Sequence, residues 1–414
     1  ALNKGQNYAG IYNYNGAINI ANTIIALNTD YNNNVSDYTV NSSSPGSVNL
    51  IPGSTTANNL TSQTGLTWAT SGVAINIGTL GNNGGPTQTM ALLTGSYAIG
   101  HGSASVSNNS PINGFDQRGY IRSSSSPSIG AFEFNAVAPP AVSQNTANRA
   151  SNATTLIISG SNFSTTPSNN IVTLSSGTAT VTTATATQLT VTFSSAPSLG
   201  NLTAQVTTNS ISSGSAVQVA TIVAAPAVTQ NTNSLAATAT TLIITGTGFD
   251  PIAANNTVTL SSGTGTVTTA TSTQLTVTLS NVPSLGSLTA VVNSFGGSSG
   301  SPVQVATVVP GAPSQVVLTT QAAGSASGSA FTTQPVVAIR DSAGNTVVSD
   351  NSTIVTMTVS GNGTTVGTVT ATAVNGVATF TNVGISGTAG TPYTLTFAST
   401  SLTSATQSIT PTFG

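Results

Sequence analysis

The stretch Thr155-Leu156-Ile157-Ile158-Ser159-Gly160-Ser161-Asn162-Phe163 returns as Thr241-Leu242-Ile243-Ile244-Thr245-Gly246-Thr247-Gly248-Phe249. The offset is 86 positions (246 minus 160). It also carries Val172-Thr173-Leu174-Ser175-Ser176-Gly177-Thr178 onto Val258-Thr259-Leu260-Ser261-Ser262-Gly263-Thr264. Gln188-Leu189-Thr190-Val191-Thr192 falls onto Gln274-Leu275-Thr276-Val277-Thr278, and Val217-Gln218-Val219-Ala220-Thr221 onto Val303-Gln304-Val305-Ala306-Thr307. No gap is needed between these blocks. A repeat this long that keeps register is a whole domain copied, since solenoid units recur every 20 to 50 residues or so. Within each copy, Val, Leu and Ile alternate with Thr, Ser and Gln in about seven short runs broken by Gly, Asn, Pro or Ser. Alternation of period two marks strands buried on one face, and this strand spacing suits an immunoglobulin-like sandwich.

Composition supports β structure and excludes several classes of function. Only 3% of the 414 residues are charged, five Lys/Arg and seven Asp/Glu with a net charge of −2. An ordinary soluble domain carries about 25% charged residues. Five basic residues cannot build the phosphate-neutralising patch that nucleic acid requires, so no nucleic-acid partner is expected. With 38% hydrophobic residues, the chain lacks the low hydrophobicity and high charge of disorder. Its polar surface must come from Ser, Thr, Asn, Gln and Gly, and Thr and Val favour pleated strands. There is no Cys, which removes disulfides, thiolate metal sites and thiol catalysis. No apolar run of transmembrane length is visible, so no transmembrane segment is expected.

Proline punctuates the chain. Pro139-Pro140 and Pro310-Gly311-Ala312-Pro313 interrupt sheet pairing and mark joints. The expected division is residues 1–138, 139–224, 225–309 and 310–414. Residues 1–135 are rich in Asn, Gly and Tyr and hold seven of the twelve charges. There, Ala17-Ile18-Asn19-Ile20-Ala21-Asn22-Thr23-Ile24-Ile25-Ala26-Leu27-Asn28 sets short apolar runs between Asn residues, as in rungs of a parallel β-helix. Further on come Leu80-Gly81-Asn82-Asn83-Gly84-Gly85-Pro86, Asp116-Gln117-Arg118-Gly119-Tyr120-Ile121-Arg122 and Ile129-Gly130-Ala131-Phe132-Glu133. In this order the motifs resemble the C-terminal end of large bacterial surface proteins whose right-handed parallel β-helices finish in a choice-of-anchor region. Tyr97 and Gly100 depart from that pattern, which usually has Pro and Asp there. Both copies of the repeat resemble transcription-factor-type Ig-like modules, through Gly160/Phe163 and Gly246/Phe249. Residues 314–414 carry Pro335-Val336-Val337-Ala338-Ile339-Arg340-Asp341-Ser342-Ala343-Gly344-Asn345 and Asn375-Gly376-Val377-Ala378-Thr379-Phe380. They resemble the bacterial Ig-like repeats of invasin- and intimin-type adhesins. The expected fold class is all-β: the end of a parallel β-helix followed by three Ig-like sandwiches in tandem.

Few side chains suit chemistry. Asp116, Arg118, Arg122 and Glu133 lie within 18 positions. They read as a salt-bridged cap closing the β-helix end rather than a catalytic acid pair, because buried charge must be paired. His101 is the one His and has no second His or Cys to share a metal. Gly296-Gly297-Ser298-Ser299-Gly300 matches the G-x-S-x-G pattern of a nucleophile elbow but lacks a strand–turn–helix setting. The other copy has Ser210-Ile211-Ser212-Ser213-Gly214 there, so the match reads as a variable loop. Asp341 with Asn345, and Asp350 with Asn351, supply oxygens for Ca²⁺, but a full site needs six to eight or so. Asp341–Asn345 reads more simply as a turn, with positive φ at Gly344 and Asn345. Asn-x-Ser/Thr triplets start at Asn34, Asn41, Asn59, Asn108, Asn152, Asn162, Asn201, Asn255, Asn351 and Asn362 and permit glycosylation.

The expected function is therefore non-enzymatic and extracellular, at a bacterial cell surface, with no cofactor. The chain reads as a subunit of a surface layer, filament or stalk. The alternative is an adhesin that binds a surface glycan or other carbohydrate. A weaker third reading is a polysaccharide-degrading β-helix whose catalytic rungs lie upstream of residue 1. Residues 1–10 run into a rung with no capping segment, and Lys4 is the chain's one Lys. Such an edge invites head-to-tail self-association.

Overall fold

The computed structural model describes residues 11–13, 17–20, 23–25, 38–40, 47–50, 59–61, 69–70 and 73–414. Among these the architecture is all-β, apart from a four-residue helix at Ala104–Ser107 and two 3-10 turns at Pro167–Asn169 and Ala253–Asn255.

The first copy of the repeat folds into two facing sheets. One has strand order Ala141–Val142, Thr155–Ser161, Gln188–Ser195, Thr178–Ala184, all antiparallel. The other runs Asn148–Ala150, Val217–Val223, Gly200–Thr208, Asn170–Leu174, with Ile211–Ser212 added beside Gly200–Thr208. Asn148–Ala150 joins this second sheet in parallel, and the other strands pair antiparallel. Alternation explains the core. Leu156 and Ile158 point inward with Leu189, Val191, Leu202 and Val206, while Ile157 and Ser159 face solvent. Gly160 has no side chain for a physical reason. A Cβ there would sit 2.1 Å from the Ala141 carbonyl and 2.3 Å from the Phe163 ring. The Gly/Phe pair thus lets the opening strand close over a buried aromatic.

The second copy repeats this pairing at the same offset. Thr155↔Thr192 becomes Thr241↔Thr278, and the register shift between Val181 and Thr183 returns between Val267 and Thr269. Each copy holds nine strands rather than about seven. The extra ones are two- and three-residue pieces such as Ala141–Val142 and Ile211–Ser212, too short to show a period.

A third sandwich follows. Its sheets are Gln315–Thr320, Val336–Arg340, Val377–Thr379; Thr370–Thr372, Ile354–Val359, Tyr393–Ala398, Ala405–Ile409; and a smaller one of Ser329–Ala330, Val383–Ser386, Thr364–Gly367. Val337, Ile339, Val355, Leu395 and the edge-to-face rings of Phe380 and Phe397 fill its core.

At the other end of the chain, short strands pair in parallel. Ile11–Asn13 lies beside Tyr38–Val40, Ala17–Ile20 beside Ser47–Leu50, and Ile24–Ile25 beside Asn59–Thr61, which pairs in turn with Ala69–Thr70. An antiparallel hairpin, Ile77–Gly81 with Thr89–Leu92, follows. Leu92, Ala98 and Ile129 form a small core there, packed against Ile24 and Phe132. Residues 1–10 with Lys4, the glycosylation triplets at Asn34 and Asn41, and Trp68 lie outside the described residues.

Candidate functional site

Three places gather the side chains that sequence singles out. The first is the loop cluster from 115 to 133. Asp116 and Arg118 form one buried ion pair at 2.7 Å, and Arg122 and Glu133 form another at 3.3 Å. Arg118 donates from Nε and Nη2 to Asp116 Oδ2, and from Nη2 to the Glu133 carbonyl at 2.8 Å. Its guanidinium lies 3.6 Å from the ring centre of Phe132 and 4.2 Å from that of Tyr120. Asp116 Oδ1 accepts the backbone N–H groups of Arg118 and Tyr120, and Oδ2 that of Glu133. Arg122 reaches three carbonyls: Phe115 from Nε, Ser128 from Nη1 and Gly130 from Nη2. Glu133 accepts the Ser128 N–H at 2.6 Å. Burial lowers the Arg122 pKa from the ordinary guanidinium value, opposed by the attraction of Glu133 and Asp116. The four charges therefore come together, and their donors and acceptors are spent on one another and on loop backbone. Within this cluster each carboxylate faces an arginine and backbone N–H groups.

His101 is exposed and stacks on Tyr97 with ring centres 4.0 Å apart. Its Nδ1 lies 2.9 Å from the Ile99 carbonyl, which can only accept, so Nδ1 carries the proton.

The second place is the third sandwich's acidic turns. Asp341 is fully buried. Its Oδ1 accepts the N–H groups of Ala343 and Asn345, and its Oδ2 accepts the Asn345 amide and the Gly311 N–H. Burial alone would raise its pKa. The hydrogen bonds led by Gly311 outweigh that and hold it below 3.8. Asp350 likewise spends its carboxylate on the Ser352 and Thr353 N–H groups and the Thr353 hydroxyl. Burial opposes these bonds too, and the net pKa is again lowered from 3.8. Both carboxylates are ringed by hydrogen-bond donors. Asp341 and Asn345 meet in one turn, and Asp350 serves another with Asn351 beside it. Gly344 takes positive φ there as expected, whereas Asn345 does not.

The third place is the contact between consecutive sandwiches. The Ala150 N–H donates to the Phe295 carbonyl at 3.0 Å, and the Asn152 side-chain amide donates to the Ser298 carbonyl at 2.7 Å. The 296–300 segment is thus neither a nucleophile elbow nor merely a variable loop: it is where the first sandwich touches the second. Arg149, beside it, donates to the Thr155 carbonyl and hydroxyl, and burial lowers its pKa from the ordinary guanidinium value. At the next joint, the Gly311–Asp341 bond pins the linker to the third sandwich, and Thr238 packs against Gly311. Sequence reading missed Arg149, Asn152 and the linker role of Asp341. The available signal was divergence between the copies, since Arg149 stands opposite Leu235, Asn152 opposite Thr238 and Gly297 opposite Ile211. Of the glycosylation triplets, Asn108, Asn152 and Asn162 already donate their side-chain amides to the carbonyls of Ser124, Ser298 and Pro139.

Residues 141–220 match the IPT/TIG domain family. No curated protein matches the sequence significantly. Among solved structures the chain is similar to FdeC, an adhesin of Escherichia coli, at 16% identity and a TM-score of 0.28, covering 67% of this chain and 98% of that one. InvD of Yersinia pseudotuberculosis is similar at 17% identity and a TM-score of 0.23, covering 66% and 97%. The mouse nectin-like molecule 4 ectodomain, Ig1–Ig3, is similar at 11% identity and a TM-score of 0.21, covering 65% and 97%. Among the described residues, no helix is long and apolar enough to cross a membrane.

Proposed function

We propose that this chain is a non-enzymatic, extracellular bacterial surface protein of adhesin type, in which the three sandwiches form a spacer. The observation that carries the reading is the built joint between the first two sandwiches, Asn152 to Ser298 and Ala150 to Phe295, together with the Asp341–Gly311 bond that fixes the linker leading into the third. Ordinary linkers leave neighbouring domains free to move. Here side chains are spent on holding one sandwich to the next, which suits a part that transmits position or force. The division at 138/139, 224/225 and 309/310 belongs to this reading. So does a structural role for Asp116, Arg118, Arg122 and Glu133, whose contacts tie loops together. Residues 1–138 read as the end of a parallel β-helix, supported by the short in-register parallel pairings of residues 11–70.

The surface is nearly uncharged and rich in hydroxyls and amides, so a neutral glycan is the favoured ligand class. A carbohydrate array and a cell-binding assay with the full chain test this. Saturable binding without substrate turnover is expected. A chain that binds nothing and sediments as a concentration-dependent polymer would instead favour a filament or surface-layer subunit joined head to tail.

A further inference from the structure

We infer that the joint between the first two sandwiches is a keyed lock: Arg149 and Asn152 form the key, and Gly296 and Gly297 form the slot that admits it. A Cβ on Gly297 would lie 2.1 Å from Asn152 Oδ1 and 2.5 Å from the Ala150 Cβ. A Cβ on Gly296 would lie 2.5 Å from the Arg149 guanidinium. The three nearest atoms at each of these two positions belong to the neighbouring sandwich. Real Cβ atoms do not approach heavy atoms this closely: at Gly297 the Ala150 Cβ cannot swing aside, so the contact there depends on the missing side chain, whereas the Arg149 guanidinium over Gly296 is the end of a long side chain that can shift.

The first copy supplies an internal control. Its matching turn has the same hand, with positive φ at Asn209 and Ser210 where the second copy has Phe295 and Gly296. At the next position it carries Ile211, paired to Thr208 as Gly297 is to Ser294. This turn and strand therefore accept a β-branched residue without trouble. Gly297 is not demanded by its own backbone, since its φ is not positive. It is demanded by what lies on top of it.

The key is equally particular to one copy. The second sandwich offers Leu235 and Thr238 where the first offers Arg149 and Asn152. Two otherwise matched modules thus differ where one end must recognise the next. Ile211 would block the key from seating on the first sandwich, and Leu235 with Thr238 lacks the amide that reaches Ser298. The joint encodes module order: the first sandwich's C-terminal end fits the second sandwich and rejects another copy of the first. It also makes the two modules one rigid body.

The lock builds on the spacer reading, and the two fail separately: binding is scored in the ligand assays, the lock in a distance width. The natural absence of Cys permits spin labels at Ser159→Cys and Thr245→Cys, exposed and equivalent positions on the two sandwiches. Pulsed dipolar spectroscopy on the full chain then reads the spread of their separation. A single narrow distribution is expected in the parent chain. Gly297→Ile, which copies the first sandwich's own residue, should broaden it at least about twofold, towards freely linked domains. Arg149→Leu with Asn152→Thr, which copies the second sandwich, should do the same without touching the second sandwich's fold. It decides the matter should Gly297→Ile fail to fold. A broad parent distribution, or a width unchanged in the folded variants, would overturn the lock.

Discussion

Replacing Arg122 with Ala removes the side chain that ties four pieces of loop together. Its Nη1 holds the Ser128 carbonyl at 2.9 Å and Glu133 at 3.3 Å, its Nη2 the Gly130 carbonyl at 2.5 Å, and its Nε the Phe115 carbonyl at 3.1 Å. Breaking a buried ion pair by deleting one partner costs about 3–5 kcal/mol. Each buried acceptor left empty costs about 1–3 kcal/mol more before water enters the gap. Two facts restrain the sum. Glu133 keeps the Ser128 N–H at 2.6 Å, and the Arg122–Glu133 contact is long for a charge-assisted bond. The expected loss is therefore about 3–4 kcal/mol. Hydrogen exchange by mass spectrometry on the full chain reads it locally, in peptides covering 114–134. At about 1.4 kcal/mol per tenfold, their protected amides should exchange at least about 100-fold faster. Arg122→Lys should fall between, since one ammonium cannot span three carbonyls. A change below about threefold, the size of an ordinary surface substitution, would mean that the cluster holds nothing together.

Other outcomes follow from the same contacts. Asp341→Asn should destabilise the third sandwich by about 1–3 kcal/mol, because an amide N–H₂ then faces a backbone donor; an unchanged urea midpoint would contradict this. Asp341 and Asp350 both have pKa values lowered from 3.8, so their contribution is fully present above that value and lost as pH falls through the lower folded values. The parent's midpoint should be flat above about pH 5 and fall below about pH 4, less steeply in Asp341→Asn; identical slopes would refute the assignment. Gly160→Ala drives a methyl into the Ala141 carbonyl and the Phe163 ring and should cost about 1–3 kcal/mol by calorimetry, as should Gly246→Ala. His101→Ala should leave glycan binding intact, and polysaccharide turnover that this substitution abolished would mean the protein is an enzyme.

The repeat made the twin sandwiches legible because alternation runs through strands of seven to nine residues, such as Thr155–Ser161 and Gly200–Thr208. Gly160 and Phe163 stood out because both recur, although only the structure shows them touching. The charged cluster was legible as a group, since so few charges exist to be placed. Its pairing was not, because Arg118 with Asp116 and Arg122 with Glu133 is a matter of loop geometry. Asp341 was half legible. Its turn is local, whereas Gly311 lies 30 positions away in the linker. The joint was hidden for the same reason. Asn152 and Ser298 are 146 positions apart, and the differences between copies that mark the contact resemble drift until the sandwiches are stacked.

Small-angle scattering from the full chain in dilute solution asks most directly whether the sandwiches act as a spacer. A compact globule of 414 residues has a radius of gyration of about 22 Å. Sandwiches held in a row predict a value above about 35 Å that does not change with ionic strength. A radius near the compact value would contradict a spacer.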